Sequence, residues 1–157
     1  MARYGAEIYK SPTKETNLTY NEIGKNSEVF TYGDFLTDGA NGLDVAGATD
    51  AIIGICAKTQ TMSATNETAA KVHPAYNPID QDYDYLCGCN SNLDALASPG
   101  IFYKLTGTTG AMQVDVGAGA QTTTNRVVVC TGVDPLNTGT LTDGLFKVVK
   151  VFNLRSD

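Results

Sequence analysis

The sequence predicts an all-β fold, either a small β-barrel or a β-tulip or sandwich domain, with an extended N-terminal arm and at most one short helix. Three observations lead to this prediction. The composition leans toward Thr, Gly, Ala, Val and Asn and contains almost no run of good helix formers. Short apolar and β-branched runs recur at close spacing along the chain. Turn-forming residues separate these runs, which is typical of a barrel or a sandwich.

Residues 1–27 differ from the rest of the chain because their apolar residues follow neither a strand nor a helix period. These apolar residues are Tyr4, Ile8, Tyr9, Leu18, Tyr20 and Ile23. A stretch without an apolar face cannot bury itself well. We therefore predict an extended arm over 1–27 that reaches up to roughly 90 Å, at about 3.3 Å per residue, and contacts neighbouring subunits. A disordered tail is the alternative.

A β-barrel domain is predicted over 28–157. The run 29–32 predicts a first strand that leads into a turn at Gly33 and Asp34. After a Gly-rich connection, the uninterrupted apolar run 51–57 predicts a strand covered on both faces. Gly54 inside this run predicts a bulge or the close approach of another backbone. Later strands are predicted at 83–89, 101–105, 112–116, 126–130 and 145–154.

Two segments do not match the pattern of a central strand. The polar stretch 58–71 is followed by Pro74 and Pro78, which lack the N–H donor that a central strand needs. This part is therefore predicted to be an edge or a loop. The single short helix is predicted over 90–97, with an asparagine cap at its start and Pro99 beyond its end.

The charge balance excludes some partners. The net charge is -6 and the isoelectric point is near 4.6, whereas a duplex-binding surface needs clustered Lys and Arg to contact phosphates. No nucleic-acid partner is therefore predicted. The N-terminus lacks an apolar export segment, and no run approaches the roughly 20 apolar residues that span a bilayer. We expect a soluble protein that is made without export and has no membrane contact.

The four cysteines are Cys56, Cys87, Cys89 and Cys130. Four thiolates are enough for a structural zinc site, but most such sites pair their ligands at C-x₂-C spacing on tight turns. Here the cysteines are spread over three predicted strands, in which cysteine usually packs as a small apolar residue. Free, mostly buried thiols are therefore predicted, with zinc as the less favoured alternative.

Asp80, Asp82 and Asp84 recur at every second residue, as in the first part of an EF-hand calcium loop. The rest of such a loop is missing. The sixth position is Tyr85, where a sharp turn needs glycine, and the twelfth is Ser91, where a bidentate Glu closes the cage. A solvated acidic edge is therefore favoured over a metal site, and neither a metal nor a cofactor is predicted.

Motifs for catalysis are weak. The single histidine, His73, has no Ser or Cys nearby in a nucleophile setting, so it is predicted to be a loop residue. Gly117 and Gly119 do not lead into a helix, as a phosphate-binding loop requires. Asn17 and Asn66 match the N-glycosylation pattern, but that modification requires export. Paired carboxylates for glycoside cleavage stay possible in principle, without positive support. The protein is predicted not to be an enzyme.

The order of the segments resembles that of the small capsid decoration, or cement, proteins of tailed bacteriophages. The likeness rests on the N-terminal arm, on 29–34, on 51–57 with its Ile-Ile-Gly-Ile core, and on 132–135 leading into the late strand at 145–149. It covers roughly residues 29–154 as a pattern of segments and contains no signature motif. The long acidic tract 58–84 departs from the family pattern.

The resemblance implies a compact β-barrel or β-tulip domain that binds the outside of an expanded head and stabilises it by bridging neighbouring capsomers. It implies the major capsid protein lattice as the partner, a homotrimer or a dimer as the oligomer, and the outer capsid surface of the virion as the location, after synthesis in the host cytoplasm. Two alternatives stay open. One is a head-completion or tail β-sandwich protein, and the other is a carbohydrate-binding or host-attachment module, which the eight tyrosines permit.

Overall fold

The computed structural model describes residues 4–10, 23–134 and 143–151, with the backbone alone for 7–10. The described part consists mostly of β-strands in several antiparallel sheets, which confirms the all-β prediction. The strands are β1 Ala6–Lys10, β2 Val29–Phe30, β3 Phe35–Gly39, β4 Gly42–Val45, β5 Gly54–Cys56, β6 Gln60–Thr61, β7 Tyr76–Pro78, β8 Asp84–Gly88, β9 Phe102–Tyr103, β10 Leu105–Thr106, β11 Gln113–Val114, β12 Val128–Val133 and β13 Asp143–Val148.

Two larger sheets form the framework. The five-stranded sheet has the order β1-β8-β13-β12-β9, and the four-stranded sheet has the order β4-β3-β5-β7. Two short ribbons, β10-β11 and β2-β6, complete the pairing. The described strands do not close into a barrel, so the architecture is one of packed open sheets. No helix among the described residues is long and apolar enough to cross a membrane.

The four-stranded sheet lies between two apolar cores. Phe35 and Ile55 pack into the larger core, together with the inner face of the five-stranded sheet. Their neighbours Leu36 and Cys56 pack into the smaller core on the opposite face. Successive residues of a strand point to opposite faces, so both faces of β3 and β5 are covered. This confirms the prediction from the apolar run 51–57.

Gly54 allows this double burial at one crowded point. A Cβ atom on Gly54 would lie 2.3 Å from Cδ2 of Tyr76 and 2.6 Å from the carbonyl oxygen of Asn77. The pairing of β5 with β3 and β7 is regular through this residue, so Gly54 marks a close backbone approach rather than a bulge. The strand containing Asn77 is β7, at the edge of its sheet, where the two prolines predicted an edge or a loop.

The connection between the first two predicted strands proved to be a hairpin. Strands β3 and β4 pair in register from Leu36 with Val45 to Gly39 with Gly42. This region was predicted only to be a Gly-rich connection. The two residues between the paired Gly39 and Gly42 are Ala40 and Asn41. Asn41 and the two flanking glycines are turn-forming residues, and they were the available signal.

The helix predicted over 90–97 is wrong, because this segment forms turns. The carboxylate of Asp94 accepts hydrogen bonds from the N–H groups of Leu96, at 2.8 Å, and Ala97, at 3.0 Å. Such local bonding of an Asp side chain competes with helix formation. In the described chain, the helical turns are instead a π-helical turn at Asn66–Ala70 and a 3₁₀ turn at Thr123–Asn125.

Part of the predicted arm belongs to the domain's own sheet. Strand β1 pairs antiparallel with β8, from Ala6 opposite Cys87 to Lys10 opposite Asp84, and forms one edge of the five-stranded sheet. This pairing within the chain was not predicted. The division between arm and domain at residues 27 and 28 stays a prediction. Leu18, Tyr20 and the end of the last predicted strand lie outside the described residues.

Candidate interaction surface

Three segments meet where strand β1 begins. The N–H of Gly5 donates to the carbonyl oxygen of Met112 at 2.9 Å, and the N–H of Ala6 donates to that of Gly33 at 2.8 Å. Gly5 has φ +75°, and a Cβ atom on it would lie 2.8 Å from the Gly33 backbone. The left-handed φ and the lack of space both require glycine here. The start of the arm is therefore fitted closely against the turn after β2 and the loop before β11.

The buried carboxylate of Asp34 ties two of these segments together. Asp34 is 1% exposed and accepts hydrogen bonds from the N–H of Thr31, at 3.2 Å, and from the N–H of Gly110, at 3.0 and 3.1 Å to its two oxygens. Burial raises the pKa of this carboxyl group above its usual value, and the two backbone donors oppose that shift. Asp34 was predicted only as a turn residue, and the structure shows that it also holds a distant loop.

Two tyrosines with exposed side chains flank this junction. Tyr4 precedes Gly5 and is 53% exposed, and Tyr32 precedes Gly33 and is 59% exposed. The four other tyrosines with described side chains are buried: Tyr76, Tyr83, Tyr85 and Tyr103. Exposed aromatic side chains with a polar tip are enriched in protein interfaces.

The outer side of strand β1 is a second feature of this surface. Strand β1 is the terminal strand of its sheet, and no described strand pairs with its outer side. An unpaired edge presents N–H and C=O groups that can bind another chain. We refer to the outer side of β1 together with Tyr4 and Tyr32 as the open edge.

The three predicted acidic residues do not converge. Asp84 lies on β8, where its carboxylate is 3.2 Å from Nζ of Lys147 and accepts a hydrogen bond from the Thr131 hydroxyl at 3.2 Å. Asp80 instead accepts a hydrogen bond from the N–H of Asp82 at 2.8 Å. Within the described ranges, no three His, Cys, Asp or Glu side chains are grouped so that they could hold a metal ion.

All four cysteines are buried thiols and none of them forms a disulfide, as the sequence predicts. Burial raises the pKa of Cys56 to about 11 and also raises the pKa values of Cys89 and Cys130. The thiolate is the reactive form of cysteine, so a raised pKa makes each thiol less reactive. The cysteines therefore act here as small core residues.

Native protein treated with a chromogenic disulfide reagent at pH 8 is expected to react at no more than about one of its four thiols within an hour. Burial limits access to all four thiols and disfavours ionisation of Cys56, Cys89 and Cys130. All four are expected to react in denaturant. Absorbance of the released thiol measures both numbers. Rapid reaction of native protein would contradict the burial of these residues.

The other predicted features are not assembled into a site. His73 is exposed in the loop before β7. The N–H of Gly117 donates to the side-chain oxygen of Asn90 at 2.9 Å, so this glycine belongs to a side-chain-stabilised turn. Asn66 is fully buried and bonded to the backbone of Gly24 and Val72, so its amide is inaccessible to glycosylation in the folded chain. Asn17 lies outside the described residues.

Comparison of the chain with protein-family models, with curated proteins and with solved structures finds no match. The strand pairing itself shows the fold class, which is an all-β arrangement of packed antiparallel sheets. Its function has to be inferred from the open edge and the chemistry around it.

Proposed function

We propose that this protein is a structural virion protein that binds the outer surface of a bacteriophage capsid and stabilises the head by bridging neighbouring capsomers. The observation that carries the proposal is the open edge, in which the outer side of β1, which pairs with no described strand, lies beside Tyr4 and Tyr32. The proposal includes no catalytic activity and no cofactor.

The open edge suits a lattice-binding role for a physical reason. A strand edge binds an extended segment through main-chain hydrogen bonds and needs no special side chains, and adjacent tyrosines add apolar contact area. Each contact of this kind is modest. When one oligomer binds several capsomers, the first contact raises the effective concentration of the remaining binding sites, so modest contacts together give stable attachment.

The proposed partner is the major capsid protein lattice. We further propose that the protein is a homo-oligomer, a trimer in preference to a dimer, whose N-terminal arm contacts neighbouring subunits. The proposed location is the outer capsid surface, after synthesis in the host cytoplasm. The net charge of -6 supports an outer position, because an acidic protein is repelled by packaged nucleic acid.

The first test combines light scattering of the purified protein with co-sedimentation on expanded phage-type shells. We expect a stable oligomer and saturable binding at a stoichiometry set by the lattice. The double variant Tyr4→Ser/Tyr32→Ser is expected to bind at least roughly tenfold more weakly, because it loses two exposed aromatic contacts. Folding should be retained, since substitutions of exposed residues usually change stability by about 0.5 kcal/mol or less.

Leu96→Ser is the matched control. Leu96 is 94% exposed and lies in a separate turn after Leu93. The substitution therefore removes exposed apolar area that is not part of the open edge. Its shell binding should equal that of the unaltered protein. A monomer that never pellets with shells would overturn the proposal, and binding of the same monomer to glycans would favour an attachment module. A low copy number per particle, as expected for a single ring of subunits, would favour a head-completion or tail protein.

A further inference from the structure

A second surface feature lies beside strand β9, at the opposite edge of the five-stranded sheet from β1. It is an open cleft of about 390 Å³. The residues that line it are Phe102, Thr123, Thr124, Arg126, Val149 and Lys150. The cleft thus brings two cations, two hydroxyl groups and an aromatic ring together on a chain whose net charge is -6.

Arg126 is held in position without an acidic partner. Its guanidinium carbon lies 4.2 Å from the centroid of the Phe102 ring, and its Nε–H donates to the carbonyl oxygen of Gln121 at 3.4 Å. Gln121 is itself anchored, because its N–H donates to the carbonyl oxygen of Phe102 at 2.8 Å. Stacking on an aromatic face restricts a guanidinium while leaving its terminal N–H groups available.

Lys150 supplies the second fixed charge. Its ammonium group donates to the carbonyl oxygens of Thr124, at 3.0 Å, and of Thr49. Neither Lys150 nor Arg126 forms an ion pair with any described carboxylate. Three other lysines of the described chain do so: Lys25, Lys104 and Lys147. The cleft is therefore a local concentration of uncompensated positive charge.

The wall of the cleft contains a strained residue. Thr123 has φ 41°, in the left-handed region that β-branched residues rarely adopt. Such conformations persist where the surroundings enforce them and are frequent at binding sites. The hydroxyl groups of Thr123 and Thr124 form no hydrogen bond with any described residue. They add two free donors to the two cations.

We propose that this cleft binds the side-chain carboxylate of a single Glu residue on an exposed segment of a protein partner. The fork of Arg126 matches a carboxylate, Lys150 adds a point charge, and the threonine hydroxyls can donate to the remaining lone pairs. Phe102 and Val149 offer apolar surface to the methylene groups of a Glu side chain. A single carboxylate on a mostly neutral segment also avoids the repulsion that the acidic chain exerts on a polyphosphate. The site is separate from the open edge and does not depend on shell binding.

The test is an NMR titration of ¹⁵N-labelled full-length protein with the peptide Ac-Gly-Glu-Gly-NH₂ and, in parallel, with its Gln counterpart and with inorganic phosphate. The Glu peptide should shift the amide signals of Phe102, Thr124 and Val149 saturably, with a Kd of roughly millimolar order. The Gln peptide should cause no saturable shift. This comparison uses the unaltered protein, so it does not depend on how any variant folds.

Variants then assign the effect to the cleft. Arg126→Gln should weaken binding of the Glu peptide roughly tenfold, because it removes the charged fork. Arg126→Lys, which keeps the charge but not the fork, should have an intermediate effect. Lys58→Gln is the matched control, because Lys58 is also an exposed cation without a described carboxylate partner. This variant should bind the Glu peptide with the same affinity as the unaltered protein.

Three results would overturn the proposal. The first is the absence of saturable shifts with the Glu peptide. The second is a response of the same amides to phosphate alone, which would make the site a phosphate site. The third is equal weakening by Lys58→Gln and Arg126→Gln, which would show that net charge rather than the cleft attracts the peptide.

Discussion

Replacing Gly54 by alanine is expected to lower the free energy of unfolding by about 3 kcal/mol, and replacing it by valine is expected to prevent stable folding at 37 °C. The added Cβ would lie 2.3 Å from the Tyr76 ring and 2.6 Å from the Asn77 carbonyl oxygen. Rotation of the ring can relieve the first contact, but only movement of the β7 backbone can relieve the second. Both faces of β5 are covered, so this movement has little room. Urea unfolding followed by circular dichroism measures the change.

Gly132→Ala is the matched control for this prediction. Gly132 also lies in a strand, β12, but a Cβ atom there would meet only Cδ1 of Leu145, at an ordinary 3.7 Å. This substitution should change stability by about 0.5 kcal/mol or less. Equal losses at Gly132 and Gly54 would mean that glycine matters only through strand propensity. A loss confined to Gly54 supports the close approach of β5 and β7.

Local patterns were sufficient for β5 and for four of the five strands in the five-stranded sheet, namely β8, β9, β12 and β13. An apolar run without alternation indicates burial on both faces, and 51–57 contains β5, Gly54–Cys56, an interior strand of its sheet that lies between two cores. A glycine in such a run indicates that a neighbouring backbone or side chain occupies the space of the missing Cβ atom. At Gly54 the β7 backbone lies there. These signals depend on chemistry within a few residues, so a single sequence contains them.

Pairings between distant segments were not predictable in the same way. Nothing in residues 6–10 alternates clearly, yet the segment pairs with β8, more than seventy residues later in the chain. Its place is set by contacts of Gly5 and Ala6 with Gly33 and Met112, which only the folded chain brings together. The failed helix at 90–97 has a local cause, since the Asp94 carboxylate binds the N–H groups of Leu96 and Ala97 near the end of the predicted helix.

The candidate surfaces show the same limit. Tyr4 and Tyr32 are two of eight tyrosines, and only the fold separates these exposed residues from the buried ones. Arg126 and Lys150 reach one cleft because the segment 121–124 places the carbonyl oxygens of Gln121 and Thr124 where they anchor both cations. Single charged residues in separate segments gave no sequence signal of this arrangement.

Asp34→Ala is expected to lower the free energy of unfolding by about 2–4 kcal/mol, because it leaves the N–H groups of Thr31 and Gly110 without an acceptor. The loss should be accompanied by faster amide hydrogen exchange at Gly110 and Met112, since the loop before β11 loses its anchor. Asp134→Ala is not a suitable comparison, because that carboxylate is also buried. Asp50→Ala is suitable, because its carboxylate accepts only the exposed N–H of Gly47, and it should cost less than about 1 kcal/mol.

The pH dependence of Asp34→Asn tests the electrostatic part of the same site. The pKa of Asp34 is raised in the folded state above its ordinary 3.8, mainly by burial. Below that ordinary value the carboxyl group is protonated in both states, so its favourable contribution to stability is fully present. As the pH rises toward the folded-state pKa, the unfolded chain ionises first and this contribution is lost. The stability of the unaltered protein relative to Asp34→Asn should therefore decrease as the pH is raised from about 3.8 through the folded-state pKa. An increase over that range, in urea titrations at a series of pH values, would mean that the Thr31 and Gly110 donors outweigh burial and that the ionised carboxylate is what holds the loop.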